Sequence, residues 1–182
     1  MTAPNIDYLC YDPTQYSVHD IARLVVHSNL WAEYKRKILK DFHAATNSKL
    51  AWGAISEWVD GFQHAVDEPL FSSFIAVTEN RPVGFVATGY DAWDNTKRTG
   101  EIKSLAVHPD YWGQGIGTRL LTAAEMFLQS AECRKITLWV EPDNKTAFIT
   151  YMRAGWRKVD GVYHSQPVNG RTASFYELEK HL

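Results

Sequence analysis

Residues His108–Leu121 read HPDYWGQGIGTRLL. Three glycines, Gly113, Gly115 and Gly117, fall within five positions, and an apolar segment follows at once. Glycine loses more conformational freedom on folding than any other residue, so such a cluster marks an unusual backbone shape or a group lying close against the chain. A helix that starts here exposes N–H groups without internal partners and carries a partial positive charge. Together they make a seat for a phosphate.

The flanks agree with a helix beginning at this loop. Before it, TGEIKSLAVHP (Thr99–Pro109) reads as a strand ended by proline. After it, Ile116, Leu120, Leu121, Ala124 and Leu128 recur at helical spacing. KITLWVE (Lys135–Glu141) is a nearly continuous apolar strand of the kind buried on both faces. Asn144–Ala154 reads as a short helix ended by Gly155.

Farther out, NIDYLCYD predicts a first strand. Ser17–Leu30 predicts a helix on Ile21, Leu24, Val25 and Leu30, with Ser17 and Asp20 as a capping-box variant. Trp31–Lys49 has no clear period. AWGAISEWVDGFQHAV predicts a second helix with Ile55, Trp58, Val59 and Phe62 on one side, closed by Pro69. Leu70–Asp91 predicts a hairpin around Glu79–Pro82, and WRKVDGVYH with TASFYELEK predicts another, turning at Asn169–Gly170. The order β, α, α, β, β, β, α, β, α, β, β mixes strand–helix–strand units with hairpins, which implies a mixed sheet in an α/β or α+β class.

The 182 residues suit one domain, residues 1–182. At 45% hydrophobic and 22% charged, the composition is that of a globular protein. A formal net charge of −2 argues against general nucleic-acid binding. Cys10 and Cys133 form neither a disulfide framework nor a metal pair, and the seven histidines are scattered, so no metal is expected. The N-terminus lacks a signal-peptide pattern, and no apolar run reaches membrane-spanning length. A cytoplasmic location with reduced thiols, no membrane and no nucleic-acid partner is the expectation.

Three phosphate-loop readings compete. A P-loop needs GxxxxGK followed by Ser or Thr, which is absent. A dinucleotide fingerprint needs a third glycine where Thr118 stands, directly behind a strand, whereas five residues intervene here. The third reading fits: LAVHPDYWGQGIGTRLL resembles the coenzyme A pyrophosphate loop of the GNAT superfamily of N-acetyltransferases, (Arg/Gln)-x-x-Gly-x-(Gly/Ala) after a strand ending V-x-P. Gly115 and Gly117 match; Trp112 replaces the polar first residue. NKTAFITYMRAGW resembles that superfamily's N-x-x-A-x-x-x-Y-x-x-x-G-(Phe/Trp) block at Asn144, Ala147, Tyr151, Gly155 and Trp156. The resemblance runs from about Phe74 to the C-terminus.

It implies a twisted mixed sheet with helices on both faces and a V-shaped splay between the fourth and fifth strands. Acetyl-CoA is the implied cosubstrate. Its pantetheine arm is expected along Leu105, Ala106 and Val107. Its pyrophosphate is expected on the loop from Trp112 and Gly113 through Gln114, Gly115, Ile116, Gly117 and Thr118. Asn144 and Ala147 complete the cofactor-binding set. The basic residues Arg134–Lys158 and Arg119 predict a positive rim.

Acetyl transfer to an amine needs a deprotonated nucleophile, a donor for the carbonyl oxygen and a proton for the departing thiolate. The resemblance makes Tyr151 the acid and Glu101 the base. Asp94 is the second base candidate, and capture of the amine's small deprotonated fraction needs no base at all. His108 is read as structural or exposed. Trp31, Trp52, Trp58 and Trp93, with Asp91 and Asp94, suggest a cationic small-molecule amine as acceptor. The alternatives are a peptide or protein acceptor, a longer-chain acyltransferase, and a CoA-binding sensor domain without turnover. A homodimer stays open.

Overall fold

The computed structural model describes residues 5–38, 40–68, 70–96, 98–168 and 171–182. Among these residues seven strands form one sheet in the order β1-β2-β3-β4-β5-β7-β6. They are β1 (Asp7–Cys10), β2 (Ser72–Thr78), β3 (Arg81–Tyr90), β4 (Thr99–Val107), β5 (Lys135–Val140), β6 (Arg157–Val168) and β7 (Arg171–His181). Among the described residues only β4 and β5 pair in parallel, joined by the crossover helix α4 (Ile116–Ser130). The other neighbours pair antiparallel.

The helices lie on both faces. Leu120, Leu121, Ala124 and Leu128 of α4 pack on Ala76, Val86, Ile102 and Ile136. On the other face, Ile21, Leu24 and Val25 of α1 (Val18–Lys35) and Phe62 of α3 (Lys49–Ala65) pack on Ile75, Phe85, Ala87 and Ala106. Neighbouring residues of β2 and β3 thus point to opposite cores, as a period of two requires.

The stretch without clear period resolves into two pieces. Helix α1 runs on to Lys35, five residues past the expected end, and a one-turn helix α2 (Phe42–Thr46) follows, capped by Asp41. Phe42 is its one buried residue, too little for a periodicity to announce. Ser17 caps α1 through His19 N, while Asp20 turns to Arg23 (3.6 Å), so the capping box does not form. Helix α3 ends at Ala65; the expected stop at Pro69 and the turn at Asn169–Gly170 lie outside the described residues.

Strand β4 contains a bulge. Ala87 pairs with Ser104 but Thr88 with Ile102, so Lys103 is an extra residue. The insertion inverts the pleat: Ile102 and Leu105 both contact the α4 core, whereas Ala106 joins the α1 core. Pairing between β4 and β5 is confined to Thr99–Glu101 against Lys135–Thr137. Beyond it the two strands splay, as the resemblance implied.

Candidate active site

The glycine loop forms at the C-terminal end of β4. Gly113 and Gly115 have φ of 77° and 78°, the left-handed region that a side chain disfavours. Gly115 is the N-cap of α4 and supplies no side-chain cap. Ser17, Asp41, Ser48 and Asn144 do cap α1, α2, α3 and α5 (Lys145–Arg153). The first-turn N–H groups of α4 therefore keep their donors for another acceptor. Gly117 is an ordinary helical residue.

Trp112, where the motif has a polar residue, donates its indole Nε1–H to the Val107 carbonyl at 2.6 Å. Ser28 Oγ donates to the same oxygen at 2.9 Å. The end of β4 is thereby held from two sides. His108 N donates to Val83 O on β3, so strand alternation turns the N–H groups of Val107 and Leu105 toward the splay. With the Val107 carbonyl already engaged, an added strand would use the Leu105 N–H and C=O and the Val107 N–H.

A cleft of about 590 Å³ joins these parts. Leu105, Val107, Trp112, Gly113, Gly115, Ile116, Gly117, Thr118, Asn144 and Ala147, all in the cofactor-binding set read from the sequence, line it. Two expected residues do not. Ala106 is buried beneath α1 because the bulge turned it there. Gln114 is exposed and reaches back to the Asp110 carbonyl at 3.4 Å. Asn144 Oδ1 accepts from Ala147 N at 3.3 Å, which leaves its amide nitrogen as the group to offer a ligand.

The positive rim differs from expectation. Lys35, Arg36 and Lys145 line the cleft. Arg119 instead stacks over Tyr8, Lys158 over Tyr176, and Lys135 and Arg157 pair with Glu179. Lys35 and Arg36 come from the end of α1, far from the loop in sequence.

A second cleft of about 650 Å³ lies on the α1 and α3 side. The two share Asn29, Ala32, Arg36, Leu105, Asn144, Ala147 and Tyr151. Tyr151, 8% exposed, therefore sits where they meet. Burial pushes its phenol up to about 12, so it stays protonated at neutral pH.

Glu101 lines the second cleft only. It stands at the vertex of the V, in the last β4–β5 pair. Burial raises its pKa, partly opposed by Lys103, whose Nζ lies 2.5 Å from Oε2. The bulge makes this contact: Lys103 folds back across Gly89, where an added Cβ would come within 2.8 Å of its Cε. Asp94 is built differently. Its oxygens accept from Thr96 N, Thr96 Oγ1, Arg98 N and Thr99 N. These bonds hold its carboxyl well below the usual range. It orders the loop before β4 and does not line the second cleft, as Ala92 and Trp93 do.

The second cleft contains Trp58, Trp93, Trp139 and Phe175, with Glu33, Glu101 and Glu141. Trp31 and Trp52 are elsewhere, contrary to expectation. Trp31 packs edge-on against Phe42, and Trp52 is exposed beneath Arg23. Asp91 also faces inward, accepting from Thr137 Oγ1 at 3.0 Å. His108 is structural, as read: it caps Asp110 N and stacks on His27. No group of three or more potential ligands gathers for a metal among the described residues, and none of their helices is long and apolar enough to cross a membrane.

The sequence model of the Acetyltransferase (GNAT) family matches residues 32–156. The chain belongs to the GNAT family. Its relatives include an N-acetyltransferase of Methanocaldococcus jannaschii, 34% identical over 91 residues, which are 49% of this chain and 40% of that one. N-alpha-acetyltransferase 30 of Schizosaccharomyces pombe is 33% identical over 106 residues, 58% of this chain and 70% of the relative. The chain thus matches less than half the length of the archaeal relative. The GNAT fold extends over nearly all of it: the PaiA N-acetyltransferase of Thermoplasma acidophilum, solved in complex with coenzyme A, superposes with a TM-score of 0.67 at 16% identity, covering 98% of this chain and 99% of that one.

Proposed function

We propose that the chain is an acetyl-CoA-dependent N-acetyltransferase acting on the primary amine of a small cationic acceptor, by direct attack in a ternary complex. The observation that carries this reading is the meeting of two clefts at Tyr151, one floored by the glycine loop and the other by Glu101. The α4 N-terminus would hold the pyrophosphate, and β4 the pantetheine arm. Glu101 takes a proton from the ammonium, directly or through water. The amine attacks the thioester carbon, and the Tyr151 hydroxyl donates toward the departing sulfur. A phenol held near 12 is a weak acid that does not ionise before it is needed.

Aromatic rings and carboxylates in the second cleft suit a cationic acceptor. A peptide N-terminus is the second reading, supported by the resemblance to an N-alpha-acetyltransferase. Incubation with labelled acetyl-CoA and parallel panels of small amines and peptides separates the two. Consumption with neither panel supports instead a CoA-binding sensor.

Glu101→Gln keeps the shape and removes the base. In wild type, activity falls as pH drops through the raised pKa of Glu101. In the variant this acidic limb changes, and activity recovers partly as pH rises toward the amine's own pKa. Asp94→Asn, measured alongside, leaves the limb in place. A wild-type profile in Glu101→Gln removes Glu101 from the role of base.

A further inference from the structure

One ion pair joins the two sides of the splay. Arg36 is the C-cap of α1, whose apolar face packs on β3 and β4, while Glu141 directly follows β5. Arg36 Nη1 lies 2.6 Å from Glu141 Oε2, and each side chain is only 15% exposed. The Arg36 Nε–H also donates to the Ala32 carbonyl, at 3.3 Å. A planar guanidinium anchored at two of its edges has a fixed orientation. The Ala32 carbonyl belongs to the last turn of α1, where a cation is favoured. Burial keeps such a pair from being screened by salt as a surface pair is.

Its position gives the pair a consequence. Arg36 lines both clefts, together with Ala32, Leu105, Ala147 and Tyr151, while Glu141 lines only the acceptor side. Transfer requires the thioester carbon and the amine to come within reacting distance, which places the acyl group among these shared residues. Among the described residues that line both clefts, the guanidinium is the one cation.

We propose that the Arg36–Glu141 bridge is a specificity element: a fixed polar wall at the junction that admits an acetyl group and excludes longer acyl chains. The inference rests on the acetyl-transfer reading above. Each further methylene would press apolar carbon against a partly desolvated ion pair. Separating the pair would take from the Arg36 guanidinium the carboxylate it faces in a poorly hydrated place, which is costly. An apolar wall would yield to a longer chain by rotamer changes; a doubly anchored fork does not.

Calorimetric titration with CoA, acetyl-CoA and butyryl-CoA tests this without knowledge of the acceptor. Wild type is expected to bind acetyl-CoA at least about tenfold more tightly than butyryl-CoA. Arg36→Ala opens the wall, and the preference falls to about twofold or less. Glu141→Gln, which leaves the side-chain volume unchanged, lowers the preference to an intermediate value and covers the case of an Arg36 variant that does not fold. The ratio is the readout because a merely structural defect weakens both ligands alike. Equal binding of the two thioesters by wild type, or an undiminished preference in both variants, overturns the wall. Wild type that binds none of the three ligands overturns the cofactor reading itself, a distinct result.

Discussion

Tyr151→Phe loses about 10- to 1000-fold in kcat, with CoA affinity close to wild type. The phenyl ring keeps the contact with Trp156, whose ring centroid lies 6.0 Å away, and keeps the packing on the α4 core. What it removes is the hydroxyl at the meeting of the clefts. The departing thiolate then leaves without a placed donor, so the loss falls on the chemical step and not on binding. Single-turnover measurement with saturating acetyl-CoA isolates that step from product release. Undiminished single-turnover rates would make Tyr151 a packing residue and pass the role of acid to water.

Gly115→Ala acts on the other end of the cofactor. Two costs separate cleanly. At φ 78°, an alanine is strained in the free protein, by about 1 kcal/mol or somewhat more. The added Cβ meets no protein atom within 4 Å, so nothing in the free protein clashes with it. Gly115 lines the cleft, and on the proposed placement of the cofactor the added Cβ crowds the pyrophosphate. CoA binding is expected to weaken by about 2 kcal/mol, roughly 30-fold. Thermal denaturation of the free protein reads the first cost and calorimetry with CoA reads the second. An affinity equal to wild type places the pyrophosphate elsewhere.

The parts of the site legible in the sequence are those with a local cause. Positive φ at Gly113 and Gly115 needs glycine, and a helix needs its period, so loop and crossover helix announce themselves. The Asn144–Tyr151 spacing sets cap and phenol seven residues apart along one helix and its N-cap, and it too is local. The splay between β4 and β5 came from the resemblance, not from periodicity. What stayed hidden is long-range. Ser28 meets Val107 across 79 positions, and Arg36 meets Glu141 across 105. Neither pair leaves a pattern in any window of sequence.

Tryptophan was misleading for a related reason. Its large apolar ring is compatible with a core cluster, a surface patch or a cleft wall, and only tertiary packing assigned Trp31 and Trp52 to the first two. Asp94 and Glu101 look alike as carboxylates beside a strand. The difference lies in what their oxygens meet: four loop donors for Asp94, one lysine and a cleft for Glu101.

The extra residue in β4 has a consequence for the site that no side chain carries. A strand has two phases, and Lys103 puts the halves of β4 on either side of it out of step. The half before it is in phase with β5; the half after it presents Leu105 and Val107 to the opening. Deleting one residue there would return both halves to a common phase. Every β3 partner would stay the same, because Thr88–Ile102 and Ala87–Ser104 would become consecutive pairs, so Leu105 and Val107 would still offer their amides to the opening, with the glycine loop, Asn144 and Tyr151 untouched. The strand facing the opening is thus specified by its register on β3, and it tolerates the loss of the one residue that β3 leaves unpaired.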